Sequence, residues 1–244
     1  MDKVKILRKV IKLHKMYHEG KIPTLSQHEL HPDLAISSRE NYLYFTLAPC
    51  LNFQRSSPAL WALAFKTWND PETNYLFLPE KVVKKPREQI QKDLMKHKLA
   101  LQPNKHTDIW ITICKTFHEL YSNDPRKLFK EADWNVAKIL NILCIEKRKS
   151  FPYLSGPKLS NYWLYILTFY TDAKKKFKNM QEISIIPDTH VIQSTVKLGI
   201  TPVISSPLIV AEAWKQLLAE SDLSPSDMHA VLWNWSRNNF LPEV

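Results

Sequence analysis

The sequence predicts an all-α protein whose helices form two lobes with a cleft between them. Apolar residues recur at helical spacing through most of the 244-residue chain, and no pair of alternating segments indicates a sheet. The chain has only three glycines, while sixteen prolines provide breaks between segments. Long helices joined by polar and proline turns need few residues with positive φ. We therefore expect about ten helices in one domain over residues 1–244, with a site in the cleft.

Composition and charge narrow the classes of function. The formal net charge is +10, which favours a polyanionic partner because each neutralised phosphate releases counterions. The charge alone does not distinguish a protein that binds nucleic acid from a basic protein that has no acidic partner. GxGxxG and P-loop motifs are missing, which excludes nucleotide binding by those motifs. No apolar stretch reaches the length of a membrane span, so we expect no membrane partner.

The cysteines and histidines argue against two kinds of site. Cys50, Cys114 and Cys144 lie far apart without a CxxC pair, which excludes a four-cysteine iron–sulfur cluster and argues against a disulfide scaffold. Reduced thiols are typical of intracellular proteins, so we expect that localisation. His14 and His18 have the four-residue spacing of metal ligands on a helix, but no further ligand accompanies them. We expect no metal.

The chain up to residue 98 contains four predicted helices. Residues 2–19 carry an apolar stripe with lysines on the opposite face, and residues 22–38 are typical of a loop. The second helix covers residues 41–51, and a short polar junction with Gln54 follows. Ser57 and Pro58 suit the N-cap and first position of the third helix. The remaining segments are a linker at 70–86, whose apolar run could be a short strand, and a charged helix at 88–98.

The rest of the chain, from residue 107, contains six predicted helices. They cover residues 107–121, 135–147, 157–171, 189–198, 207–220 and 226–239. Residues 127–130 are expected to form a short turn. The helix at 135–147 ends in the basic run Lys147, Arg148 and Lys149, and the polar connection at 173–187 contains four lysines.

Two of these helix starts carry the residues best suited to chemistry. Lys158 follows Ser155, Gly156 and Pro157, where Ser155 or Gly156 can cap the helix and Pro157 suits its first position. A neutral lysine amine can act as a nucleophile there, although an ordinary surface lysine has the same pattern. Asp188 suits the N-cap of the helix at 189–198, and capping alone could explain it.

Lys158 and Asp188 can lie close together. The helix after Lys158 carries the chain about 20 Å away, at about 1.5 Å per residue. The connection at 173–187 can span about 50 Å when extended, so it can return the chain to the starting end. We therefore expect the amine and the carboxylate to line one pocket.

Aromatic and amide side chains are candidates for binding a base. Tyr162 lies four residues after Lys158, on the same helix face. His229 and Trp233 share a face of the last predicted helix. Aromatic residues at helical spacing are usually core, whereas an exposed tryptophan in a cleft would stack on a planar base. Gln54 is either a loop amide or an amide that contacts a base.

Basic residues gather around the turn before Lys158. Lys147, Arg148 and Lys149 precede it, and the lysines of residues 174–178 follow along the chain. Such runs are usually solvated faces. Because the backbone N–H groups at a helix N-terminus bind phosphate, Gly156 and the basic run are candidate contacts to DNA phosphates.

This pattern resembles the helix–hairpin–helix DNA glycosylase/AP lyase superfamily of base-excision repair. The resemblance is sharp at residues 154–161, with Gly-Pro-Lys at a helix start, at 186–192, with Pro-Asp-Thr-His-Val, and at 228–235, with Leu232-Trp233. The layout over about residues 40–240 is most like the archaeal-type 8-oxoguanine DNA glycosylase branch. Two features depart from that pattern. The LSGPK turn is shorter than the usual L-P-G-V-G-x-K hairpin, and His229 stands where that branch has an acidic base contact.

The resemblance implies a role for each candidate. Lys158 would be the nucleophile that forms a Schiff base, and Asp188 the catalytic carboxylate. The implied base pocket contains Gln54, Tyr162, His229 and Trp233. The implied activity is excision of an oxidised purine, 8-oxoguanine foremost, from double-stranded DNA, followed by strand cleavage at the AP site. No cofactor and no obligatory protein partner would be needed. The alternatives are a non-catalytic helical nucleic-acid-binding protein on the same scaffold and a purely structural helical protein.

Overall fold

The computed structural model describes residues 2–24 and 30–244, and helices dominate that part of the chain. It contains twelve α-helices and no strand, apart from one isolated parallel bridge between Asn135 and Lys178. The helices are α1 (Lys3–His18), α2 (Arg39–Leu47), α3 (Ser57–Asn69), α4 (Pro79–Val82), α5 (Arg87–Lys96), α6 (Pro103–Tyr121), α7 (Pro125–Glu131), α8 (Val136–Asn141), α9 (Pro157–Tyr170), α10 (Thr189–Lys197), α11 (Pro207–Leu218) and α12 (Asp227–Arg237). The all-α prediction is confirmed.

The chain divides into two compact units. The smaller unit consists of Met1–Ser26 and Met180–Val244 and contains α1 and α10 to α12. The larger unit is Gln27–Asn179 and contains α2 to α9. Each unit is helical and has its own buried apolar residues. That both belong to one domain stays a prediction.

Aromatic side chains fill the core of the larger unit. Helix α2 is buried over residues 41–47, which explains why it lacks a polar face. The buried indole N–H of Trp110 donates to the carbonyl oxygen of Leu76 at 2.9 Å. That of Trp163 donates to Thr46 Oγ1 at 3.1 Å. Because a buried donor without an acceptor costs about 1–3 kcal/mol, these bonds fix the rings in one orientation.

A separate apolar core holds the smaller unit together. Helix α1 contributes Val10 and Leu13, α10 contributes Val191, and α12 contributes Leu232 and Trp235, all of them buried. Helices α10 and α12 pack along each other. The helix that follows the predicted carboxylate and the helix that carries the predicted pocket tryptophan therefore form one packed pair.

The apolar run in the predicted linker is not a strand. Residues Asn74–Phe77 form a 3₁₀ turn, and Pro79–Val82 form α4. The described residues offer this run no partner strand, so its backbone groups pair locally. The N–H of Leu78 donates to Tyr75 O at 2.9 Å, for example.

Two other segments differ from the prediction, and a third is described only in part. The residues expected to form a turn at 127–130 belong to α7, which Asp124 caps through the N–H of Arg126. The helix expected over 135–147 is α-helical only to Asn141 and continues as a π-helical turn over Ile142–Glu146. The predicted loop at 22–38 contains no helix at 22–24 and 30–38, and residues 25–29 lie outside the described part.

Ser57 is not the N-cap that the sequence predicted. Helix α3 begins at Ser57, and Ser56 occupies the N-cap position without a side-chain capping bond. The Ser57 hydroxyl instead forms a 2.5 Å hydrogen bond with the hydroxyl of Tyr162. The two residues are more than 100 positions apart in the sequence. The Ser57 side chain, which the local pattern assigned to capping, therefore forms a tertiary contact instead.

Candidate active site

Lys158 occupies the second position of α9. Gly156 is the N-cap residue and Pro157 the first helical residue, as the sequence predicted. The Lys158 side chain is exposed, and it makes no hydrogen bond or ion pair with any residue that the structure describes. An amine in this position is available to a ligand, and the unpaired backbone N–H groups of the first helical turn lie beside it.

Backbone hydrogen bonds close the turn that precedes Lys158. The N–H of Ser155 donates to Phe151 O, and that of Gly156 donates to Tyr153 O, both at 2.9 Å. Tyr153 adopts a positive φ of 63°. A Cβ added at Gly156 would lie 3.1 Å from Tyr153 O, closer than most Cβ contacts. Glycine therefore permits the chain to pass this carbonyl, and the short LSGPK turn is a closed connection between two helical segments.

The three residues of the basic run before this turn differ in whether they have partners. Lys147 Nζ donates to Glu131 Oε1 at 2.8 Å and to the Tyr121 hydroxyl at 2.9 Å. Arg148 and Lys149 are exposed and have no ion-pair partner among the described residues. The structure thus leaves two of the three predicted phosphate contacts free, while Lys147 holds the end of the π-helical turn against α6 and α7.

Tyr162 is fixed to α3 by its hydroxyl group. The indole N–H of Trp61 donates to the Tyr162 oxygen at 3.0 Å, and Ser57 Oγ lies 2.5 Å from the same atom. Tyr162 is 8% exposed. Lys158 lies one helical turn earlier on α9, so these bonds also fix the helix that presents Lys158.

Gln54 lies in the junction between α2 and α3, next to a group of aromatic side chains. It is exposed and adopts a positive φ of 48°. The ring of Phe53 packs edge-on against Tyr153, with centroids 5.6 Å apart. Lys105 Nζ lies 5.6 Å from the Phe53 ring and 5.0 Å from the Tyr153 ring. The junction and the Lys158 turn are therefore in direct contact.

Sequence reasoning did not find this contact or the bonds of Tyr162. His106 completes the aromatic group, since its ring packs edge-on against Phe53 and Tyr153. It is fully buried, and its Nδ1 accepts a 3.1 Å hydrogen bond from the N–H of Leu101. These residues are far apart in the chain and follow no shared motif, so nothing in the sequence links them.

Asp188 is the N-cap of α10, as predicted. Its Oδ1 accepts a 2.9 Å hydrogen bond from the N–H of Val191. The second carboxylate oxygen accepts no hydrogen bond from the described residues, and the side chain is half-buried. The cap holds one oxygen in place and leaves the other able to meet a ligand.

Helix α12 presents Trp233 beside α10. The half-buried Trp233 ring packs edge-on against His190, with centroids 5.6 Å apart, and the Arg237 guanidinium lies 4.8 Å from its centre. His190 Nδ1 and Ser236 Oγ form a 3.1 Å hydrogen bond that ties the two helices. His229, one turn before Trp233, is also half-buried. In contrast, the neighbouring Leu232 is fully buried core.

The predicted site residues fall into two sets. The larger unit contains Gln54, Gly156, Lys158 and Tyr162, together with the basic run, and the smaller unit contains Asp188, His229 and Trp233. Within each unit the structure brings the members onto contacting elements. A single pocket shared by Lys158 and Asp188 stays a prediction.

No family model matches the chain, and no curated protein matches it in sequence. Solved structures do match it. A trapped covalent endonuclease III–DNA intermediate has a TM-score of 0.52 and 15% identity, covering 97% of this chain and 84% of that chain. A non-covalent endonuclease III–DNA complex has a TM-score of 0.53 and 14% identity with the same coverage. The 8-oxoguanine DNA glycosylase of Thermotoga maritima has a TM-score of 0.52 and 17% identity, covering 93% of this chain and 95% of that chain.

At these identities the likeness establishes the fold. The chain has the all-helical fold of the helix–hairpin–helix DNA glycosylases, as the residue motifs predicted. Among the described helices, none is both long and apolar enough to cross a membrane.

Proposed function

We propose that this protein is a DNA glycosylase with AP-lyase activity that excises an oxidised purine, with 8-oxoguanine as the first lesion to test. The observation that carries this function is Lys158, an exposed amine with no partner among the described residues, at the start of α9 in a helix–hairpin–helix glycosylase fold. The similar structures support it. One is a trapped covalent endonuclease III–DNA intermediate, and another is an 8-oxoguanine DNA glycosylase.

Lys158 would act as the nucleophile in its neutral form. A bond forms between Nζ and C1′ of the damaged nucleotide while the N-glycosidic bond breaks, and the base leaves with the bonding electron pair and takes up a proton. Loss of a proton from Nζ and opening of the sugar ring give an imine. Loss of a C2′ proton then breaks the C3′–O bond, which nicks the strand.

Asp188 would stabilise positive charge that develops on the sugar as the base departs. The capping bond from Val191 orients its carboxylate before substrate arrives, so no reorganisation is needed at the transition state. Its second oxygen, which accepts no hydrogen bond from the part of the chain that the structure describes, is the atom that we assign to this contact. The proposed role requires Asp188 and Lys158 to face the same nucleotide.

The base would be flipped out of the duplex and held between aromatic side chains. Ser57 and Trp61 already bond the Tyr162 hydroxyl, so we assign Tyr162 to packing against the base through its ring. Trp233 would stack on the base with the ring face opposite Arg237. Gln54 and His229 would contact the base edge.

Phosphate contacts would come from the turn before α9. The backbone N–H groups in the first turn of α9, which follow Gly156, can bind a phosphate oxygen. Arg148 and Lys149 are exposed cations before this turn that have no ion-pair partner among the described residues. Because Lys147 already pairs with Glu131, we expect it to contribute little.

Borohydride trapping on duplexes with and without 8-oxoguanine tests the function. Wild type should form a covalent complex and nick the damaged strand. Lys158→Gln should form none while binding DNA normally, and exposed Lys92 supplies the matched control Lys92→Gln, which should trap like wild type. Trapping that persists in Lys158→Gln would overturn the assignment. DNA binding without base release on a panel of lesions would favour the non-catalytic alternative.

A further inference from the structure

Helix α1 concentrates the positive charge of the smaller unit. It contains six lysine and arginine residues and no aspartate or glutamate over Lys3–His18. The rest of that unit has four lysine and arginine residues against nine aspartate and glutamate residues. Without α1, the smaller unit is therefore acidic and would repel a polyanion.

The cations of α1 share one face. At about 100° per residue, five of them fall within an arc of about 120°. They are Lys5, Arg8, Lys9, Lys12 and Lys15. The buried residues Val10 and Leu13 lie outside this arc and anchor the helix in the core. We call the five cations the α1 basic face.

Most of this face is not neutralised. Lys15 forms a weak 3.7 Å ion pair with Glu19, whose side chains are 75% and 36% exposed. The other four cations have no ion-pair partner among the described residues. Surface helices usually mix the two signs of charge, so a face with five cations and a single flanking acid, Glu19, is a candidate polyanion site.

We infer that the α1 basic face is a second contact surface for the DNA backbone, carried by the smaller unit and independent of the Lys158 turn. Lys5 and Lys12 are separated by about 10 Å along the helix, at about 1.5 Å per residue, a span that reaches two or more phosphates. This inference rests on the proposed function only in taking DNA as the partner. It would hold even if the protein has no lyase chemistry.

Salt dependence of DNA binding tests the inference. Each phosphate contact that is lost lowers the slope of log K against log salt by about 0.9. The triple variant Lys5→Gln, Lys9→Gln, Lys12→Gln should therefore reduce the slope by about two to three and weaken binding uniformly across sequences. Glutamine is a good helix former, so α1 should persist, and circular dichroism checks this.

The matched control changes three exposed lysines of the larger unit, Lys66→Gln, Lys84→Gln and Lys92→Gln. It alters net charge equally and should change the slope by less than about one. An unchanged slope in the α1 variant, or equal losses in both variants, would overturn the inference. The inference would also be overturned if the α1 variant lost binding to phosphatidylserine vesicles while its salt slope on DNA stayed unchanged. That result would assign the α1 basic face to membranes. Lys158→Gln should lower the slope by no more than about one while abolishing covalent trapping, which separates this test from the test of catalysis.

Discussion

The hydroxyl groups of Tyr162 and Ser57 lie 2.5 Å apart and join α9 to the first turn of α3. Trp61 donates its indole N–H to the same Tyr162 oxygen. The tryptophan N–H can only donate, so the phenol oxygen accepts that bond, and the Tyr162 and Ser57 hydroxyls share a second hydrogen bond. The helix that presents Lys158 is thus attached to the segment that follows Gln54.

Replacing Tyr162 with phenylalanine should destabilise the protein by about 1–3 kcal/mol, because the buried Trp61 N–H loses its acceptor. Ser57→Ala should cost less, since it leaves the Trp61 bond in place. Urea unfolding measures both. Tyr153→Phe, whose hydroxyl has no hydrogen bond among the described residues, is the control and should stay within about 0.5 kcal/mol of wild type. Equal losses for Tyr162→Phe and Tyr153→Phe would show that the network contributes nothing.

Two substitutions of Asp188 should separate capping from chemistry. Asp188→Asn keeps a good N-cap and should change the free energy of unfolding by only a few tenths of a kcal/mol, whereas Asp188→Ala should lose about 1 kcal/mol. Both should abolish base excision, because neither has a negative charge. Thermal unfolding and single-turnover excision give the two readouts. Full activity in Asp188→Asn would remove Asp188 from the mechanism.

His106 should make stability depend on pH. Its burial, with the positive charges of Arg55 and Lys105 adding to it, lowers its pKa to about 4. Since an unfolded histidine titrates near about 6.5, the unfolded chain binds a proton in the window from about 6.5 to 4 that the folded chain does not. Stability should therefore fall as pH falls through that window.

His106→Asn should remove this dependence, because asparagine can still accept the bond from the N–H of Leu101 but does not titrate. Urea midpoints measured from pH 7 to pH 4 give the comparison. The exposed His118 provides the control, and His118→Asn should keep the wild-type profile. Parallel pH profiles for wild type and His106→Asn would contradict the prediction.

Gly156→Ala should weaken both the fold and DNA binding. Alanine is a poorer N-cap than glycine, and its Cβ would press on Tyr153 O at 3.1 Å, so we expect a loss of about 1 kcal/mol. A displaced turn should also misplace the N–H groups assigned to phosphate, which fluorescence anisotropy with a DNA duplex would detect. Ser155→Ala is the matched control, because that side chain forms no hydrogen bond with the described residues. If the two variants behave alike, the turn does not depend on glycine.

Local signals in the sequence were sufficient for the all-α class and for the helix starts at Gly156-Pro157 and Asp188. Caps and first-turn prolines act within three or four residues, so a short window contains the whole interaction. Packing faces at 3.6-residue spacing are local in the same sense, which is why α1 and its basic face follow from the sequence. The bounds of α1, α9 and α10 differ from prediction by only one or two residues.

The tertiary structure alone decided which side chains are still available to a ligand. The sequence predicted Ser57 as a helix cap, but its hydroxyl bonds Tyr162. The sequence predicted Lys147 as a phosphate contact, but it pairs with Glu131. In each case the partner is a side chain distant in the sequence, and no spacing rule encodes its position. Sequence by itself therefore determined the all-α class and the starts of α9 and α10, where Lys158 and Asp188 lie. Long-range hydrogen bonds hold Tyr162, whereas Lys158 forms none with the described residues, and only the folded chain decides which distant side chains come within reach of each.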